Sequence, residues 1–88
     1  MLTLPDELTH VQATACLAGL VPNLAAEAVP VRVDASALRH FDSSALAVLL
    51  ALRRACAGLD KTMVVQGLPD GLRDLAALYG VEALLPSA

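Results

Sequence analysis

The chain has 88 residues, 57% hydrophobic and 2% aromatic, with six lysines and arginines against nine aspartates and glutamates and a formal charge of −3. That length supports one domain with one small core, and the composition requires the core to be built from Leu, Val and Ala. The acidic balance lacks the basic footprint that binding a phosphate backbone demands, and one Tyr and one Phe make no base-stacking platform, so nucleic acid is excluded as a partner.

Leu2-Thr3-Leu4 reads as the start of an edge strand, stopped by Pro5 and the acidic pair Asp6-Glu7. Acids stand where a signal peptide would be apolar, and the longest apolar run, Ala45 to Leu52, is eight residues. A cytoplasmic location without direct membrane insertion is expected. From Thr9, a plausible N-cap, Val11, Ala15, Leu17, Ala18, Leu20 and Val21 recur at helical spacing. Pro22 ends or kinks that helix, because it has no N–H and clashes with the preceding turn. Asn23 to Ala28 is expected to be a connector or a last irregular turn.

Val29 to Val33 alternates as a β-branched strand and ends at Asp34. Ala35 to Phe41 is expected to be a loop, with Leu38 and Phe41 pinned to the core. A helix is predicted from about Ser43 to Ala57, with Gly58 at C′. Thr62 to Gln66 reads as a strand, Gly67-Leu68 as a turn, and Pro69 as the first position of a helix through Tyr79, closed by Gly80. Leu72, Leu75, Ala76 and Tyr79 form its apolar stripe, and Val81 to Leu85 is a short tail stopped by Pro86. The alternation of strand and helix predicts a single α/β domain over residues 1–88, a small and mostly parallel sheet with helices packed on it.

Little in the chain suggests catalysis. Cys16 and Cys56 lie forty residues apart inside apolar helical patterns, which suits buried small hydrophobes rather than ligands or a disulfide. His10 and His40 have no metal-ligand spacing and read as solvated surface residues. Ser43 or Ser44 as a nucleophile would need a base, and only His40 is near in sequence. The glycines form no phosphate-cradling loop. The chain reads as non-enzymatic, with no cofactor.

The informative stretch is Phe41-Asp42-Ser43-Ser44-Ala45-Leu46, where strand gives way to an apolar helix. Asp and Ser suit a helix start, where orphan N–H groups need acceptors. Projected at 100° per residue, Ala45, Val48, Leu49, Leu52 and Cys56 form the stripe expected to face the sheet. Leu46 and Leu50 lie off that stripe, and Ser43, Ala47, Ala51 and Arg54 lie on the opposite side. A helix apolar this far round must bury more than one face, either inside the core or against another protein. An orphan patch of that kind also permits self-association of the isolated chain.

This motif resembles the STAS domain, a family that includes anti-sigma-factor antagonists and the cytoplasmic tails of sulfate transporters. The family pattern is Asp-Ser/Thr-(Ser/Thr/Gly)-Gly-Leu, and here Ala45 stands in place of the usual glycine. In the C-terminal third, Val65-Gln66-Gly67-Leu68-Pro69-Asp70, then Leu75 to Val81 and Leu85-Pro86, is similar to the STAS subunits of Mla-type phospholipid ABC transporters. The resemblance implies a STAS-like fold whose N-terminal strand pair is cut short, with the first strand missing. It implies a cytoplasmic subunit, peripheral to the inner membrane, that binds and supports the transporter ATPase and through it meets a permease, in a system maintaining outer-membrane lipid asymmetry. The partner-binding residues would be Asp42, Ser43, Ser44, Ala47, Leu50 and Arg54. The alternative it implies is an anti-sigma-factor antagonist switched by phosphorylation of Ser43.

Overall fold

Three strands in the order β1-β3-β5 form an all-parallel sheet in the computed structural model, which describes residues 1–87. They are β1 (Leu2–Thr3), β3 (Val31–Asp34) and β5 (Met63–Gln66). The register explains the alternation seen in the sequence. Leu2 pairs with Val33 and Val33 with Val65, while Val31 pairs with Met63, so the buried side chains align in rows on one face. Thr3 and Arg32 occupy the opposite, exposed positions. β1 is the sheet edge, as expected, and no strand lies outside it among the described residues.

A second, two-stranded parallel pair joins β2 (Glu7–Leu8) to β4 (His40–Phe41). The sequence predicts a loop at His40–Phe41 and no element at Glu7–Leu8. Each is two residues long, too short to show a periodicity, and the pairing rests on contacts between distant parts of the chain. The backbone carbonyl of Asp6 accepts from the N–H groups of Arg39 and His40, which extends the pairing.

Helix α2 (Ser43–Gly58) spans the core. Its stripe of Ala45, Val48, Leu49, Leu52 and Cys56 is buried, with Leu49, Leu52 and Cys56 at 0% exposure. Leu46, off that stripe, is buried as well, because α1 (Ala13–Leu20) and α3 (Asp70–Leu78) both pack on α2. After α1 the chain tightens into a 3₁₀ segment, Val21–Ala26, which takes the second of the two expected forms, an irregular last turn, and Leu24 on it is fully buried. Leu38 is buried as expected and Phe41 is half-buried against the core. No helix among the described residues is long and apolar enough to cross a membrane.

Several expected boundaries shift for identifiable reasons. Val29 and Pro30 precede β3, whose ladder begins where the Val31 N–H reaches the Thr62 carbonyl. Gly58 lies inside α2, and the left-handed residue that ends the helix is Asp60, at φ 57°. The Asp60 N–H reaches the Ala57 carbonyl and the Lys61 N–H reaches the Cys56 carbonyl, the paired bonds of a Schellman cap. Aspartate tolerates that conformation better than most residues with a Cβ. Gly80, at φ 71°, ends α3 with the same pair of bonds, from Gly80 to Ala77 and from Val81 to Ala76. Pro69 is extended and is the N-cap of α3 rather than its first helical residue. Tyr79 follows the last full turn and is 57% exposed, so the buried stripe of α3 ends at Ala76. The expected apolar tail makes a short 3₁₀ turn, Glu82–Leu84, and then returns to the sheet, where Ser87 bridges Val65 in parallel.

Two residues tie distant elements together. The Lys61 ammonium donates to the carbonyls of Leu24, Ala25 and Glu27 at 2.8, 3.0 and 2.6 Å, saturating the carbonyl end of the 3₁₀ segment. A cation there also complements the negative end of the helical dipole. Gly67, at φ 70°, packs so closely on the β3–β4 loop that an added Cβ would stand 2.7 Å from the Ser36 Cβ. Lys61→Met is expected to lower the unfolding free energy by about 1–3 kcal/mol in urea titration, because three carbonyls lose a charged donor. Gly67→Ala, strained in backbone and sterically blocked, is expected to lower it by more than about 1 kcal/mol in the same measurement.

Candidate partner-docking site

The site begins with the Asp42 carboxylate. Asp42 is the N-cap of α2, and its Oδ1 accepts from the Ser44 N–H at 2.7 Å. Its Oδ2 accepts from the His10 N–H at 3.1 Å, 32 residues away in sequence. The β2–β4 register makes this possible: Glu7 opposite His40 and Leu8 opposite Phe41 lay the chain leaving Leu8 beside the chain leaving Phe41. The His10 ring Nδ1 stands 3.5 Å from the same oxygen, but its side chain is 81% exposed, so this contact adds little in water.

Thr9 then turns the chain into α1. Its Oγ1 accepts from the Val11 N–H at 3.3 Å, while Gln12 Oε1 accepts from the Thr9 N–H at 2.9 Å and from its hydroxyl at 2.8 Å. This is the reciprocal logic of a Thr-x-x-Gln capping box, but it closes the turn before the helix: α1 starts at Ala13 with Gln12 as its N-cap and no side-chain cap bond, so Thr9 is not the N-cap of α1 that the sequence suggests. Gln12 Nε2 also donates to Glu7 Oε1 at 2.7 Å, fastening the turn to β2.

The geometry divides the expected site residues. Ser43 is exposed at the first helical position, and Ser44 is half-buried with its N–H committed to Asp42. Ala47 and Arg54 are exposed on the outer face of α2. Leu50 is half-buried and packs against the core, so it is a shoulder of the surface rather than a free contact. Ser44, Ala47, Ala51 and Arg54 form one wall of a shallow groove of about 310 Å³, and Thr14 and Leu17 of α1 help form the other.

The contribution of α1 is what sequence reasoning missed. None of its residues is fully buried; Ala13, Cys16, Leu17 and Leu20 are half-buried on the core, and Thr14, Ala15 and Ala18 are exposed. No charged residue occurs from Val11 to Ala26, so an apolar helix lies on the surface without the polar outer face that solvent normally requires. That charge-free run was the available signal. The missed neighbour of Asp42 was His10, whose only clue was the capping pattern that follows it.

Chemically, the Asp42 carboxylate is committed to holding the fold. The Ser44 N–H holds the Asp42 carboxyl below the ordinary carboxylate range, with desolvation working against it and the His10 N–H adding to it. An anion so committed to backbone donors is a structural acceptor. No group of His, Cys, Asp and Glu able to hold a metal ion forms among the described residues. Burial pushes both thiols up, Cys16 half-buried and Cys56 fully buried, as suits packed sulfur atoms with free thiols.

The Asp42 shift has a definite sign. A carboxyl depressed in the folded state adds stability that is present above its unfolded pKa and is lost as pH falls through the folded pKa. Asp42→Asn keeps an oxygen acceptor for the Ser44 N–H, so it is expected to retain most stability at neutral pH while flattening the loss below about pH 5. Asp42→Ala is expected to be less stable than Asp42→Asn at neutral pH. Thermal melts across pH for the three proteins check this; equal acid slopes for wild type and Asp42→Asn would remove Asp42 from that role.

Comparison with known proteins agrees with the architecture. A search of curated proteins found no match. A protein-family model described as "Mlab, STAS domain" matches residues 1–86, spanning every element from β1 to the final turn. On that match the chain belongs to the STAS family and resembles MlaB.

Proposed function

We propose that this chain is a non-catalytic docking subunit that binds and supports the ATPase of an Mla-type phospholipid ABC transporter. The observation that carries the reading is the exposed α1–α2 face, uncharged between its two ends and with Ser43 at its head, in a chain matched by the MlaB-described family model. Such a face gains by covering apolar surface, and the exposed alanines and serine let another backbone approach closely. On this reading the subunit sits on the cytoplasmic side of the inner membrane, peripheral to a permease it meets through the ATPase. The transporter would serve outer-membrane lipid asymmetry.

A second reading is favoured by one specific feature: the Ser43 hydroxyl is exposed at the first position of a 16-residue helix. A phosphate there would gain from the helix dipole, lose by repulsion from Asp42, and place charge in an uncharged interface. That is the chemistry of an anti-sigma-factor antagonist switched by a kinase.

The test is a pull-down from native lysate with tagged wild type and Ser43→Glu. An acid is well tolerated in a first helical turn, so the variant should melt like wild type. Wild type is expected to capture an ABC ATPase, and Ser43→Glu to lose at least about tenfold of it, the loss expected of a charge buried in an apolar contact. Capture of a kinase-like anti-sigma factor instead would replace the transporter reading with the second one. An ATPase held equally by both proteins would move the interface away from Ser43.

A further inference from the structure

Charge on the α1–α2 face is confined to its two ends. Between Val11 and Ala26 on one segment, and between Ser43 and Leu52 on the other, no side chain is charged. Asp42 lies at the head of α2, with Glu7 fastened to the α1 turn nearby, whereas Arg53 and Arg54 are exposed near its tail. Asp42 and Arg54 are separated by about 18 Å along the helix axis at 1.5 Å per residue. Along the helix, Ser43, Ala47, Leu50 and Arg54 follow the i, i+4, i+7, i+11 spacing of a surface ridge, and the groove toward α1 lies alongside.

A surface acidic at one end, basic at the other and neutral between is complementary to itself after a half-turn. We propose that a second copy of this chain occupies this face in a reversible two-fold homodimer. Helix α2 of one copy runs antiparallel to α2 of the other, the ridge of each enters the groove of its mate, and Arg54 meets Asp42 twice. The Asp42 side chain remains 41% exposed, so it can accept from a guanidinium while it caps the helix. A partner of one uniform charge would be repelled at one end of the same face, which is why a second copy fits better. A standard interface takes about 800 Å² from each partner, roughly one-sixth of the 4804 Å² surface of this chain. One two-helix face of alanine, serine and leucine therefore places the dimer in the reversible class. The inference does not depend on which protein the chain serves, although a homodimer would compete with any partner docked on the same face.

Sedimentation equilibrium of the full chain over a concentration series, at low and high salt, tests it. Wild type is expected to approach twice the chain mass, with dissociation favoured by salt because the end contacts are ionic. Arg54→Glu is expected to raise the dimer dissociation constant at least about tenfold, the cost of two lost ion pairs and two new repulsions. Arg32→Glu, the same charge change on the opposite face of the sheet, should leave that constant within about twofold, as expected of a surface change away from the interface. A wild type that stays monomeric throughout overturns the proposal, as does a dimer that both variants weaken equally or that Arg54→Glu leaves intact. The pull-down with Ser43→Glu is read on a different protein band, so failure of either idea is visible separately.

Discussion

The carboxylate of Asp42 accepts N–H groups from two places at once, from Ser44 one turn into its own helix and from His10 on a segment 32 residues earlier. The first bond starts α2; the second decides where the N-terminal third of the chain must leave the β2–β4 pair. Once His10 is held there, the Thr9–Gln12 turn points α1 along the flank of α2, and the groove between the helices follows. The face therefore has a polar contact at its edge in addition to the half-buried apolar residues of α1 that pack on the core. Those residues would be equally apolar with α1 packed elsewhere, but they would not line a groove with Ser44, Ala47 and Arg54.

The far ends of the helices are secured by backbone groups. Both Asp60 and Gly80 close a helix with the same pair of hydrogen bonds, and Lys61, the residue after the first closure, spends three donors on the 3₁₀ segment that follows α1. The α1–α2 pair is thus held at the head by a carboxylate and at the tail by an ammonium, both bonded to backbone. Neither interaction uses the outer face. Alanine, serine and threonine can therefore remain there without cost to the fold, which leaves that surface free for recognition.

What the sequence revealed depended on whether a feature was local. The buried stripe of α2 was legible because 16 residues repeat the helical period, β3 because valine alternates with charged residues over four positions, and β5 because a short apolar run with two valines is followed by the turn at Gly67. The parallel sheet followed from their order along the chain. The β2–β4 pair was not legible, since two residues carry no period and Glu7 has no local reason to seek His40. Gly58 looked like the end of α2 because glycine usually takes the left-handed position, but Asp60 takes it, two residues later, and the helix itself runs one residue further than expected. At the site, Asp42 as a cap and Ser43 as an exposed residue could be read from residue type alone. Leu50 was placed on the free surface because a wheel projection does not show which flanks of α2 neighbouring elements cover. The α1 wall, with Thr14 and Leu17, exists only once segments some thirty residues apart have come together.

Every pairing between two of the described strands joins residues more than 30 apart: Leu2 with Val33, Glu7 with His40, and Val31 with Met63. The described strands include no hairpin, so no two of them can zip together from a turn. Each pairing must first close a long loop whose entropy is lost before its hydrogen bonds form. Helical segments can form on their own timescale, but the sheet has to wait for the segments that contain α1 and α2 to bring its strands together. Folding should therefore be slow for a domain this small, and synthesis from the N-terminus leaves β1 and β3 without β5 until three quarters of the chain has emerged.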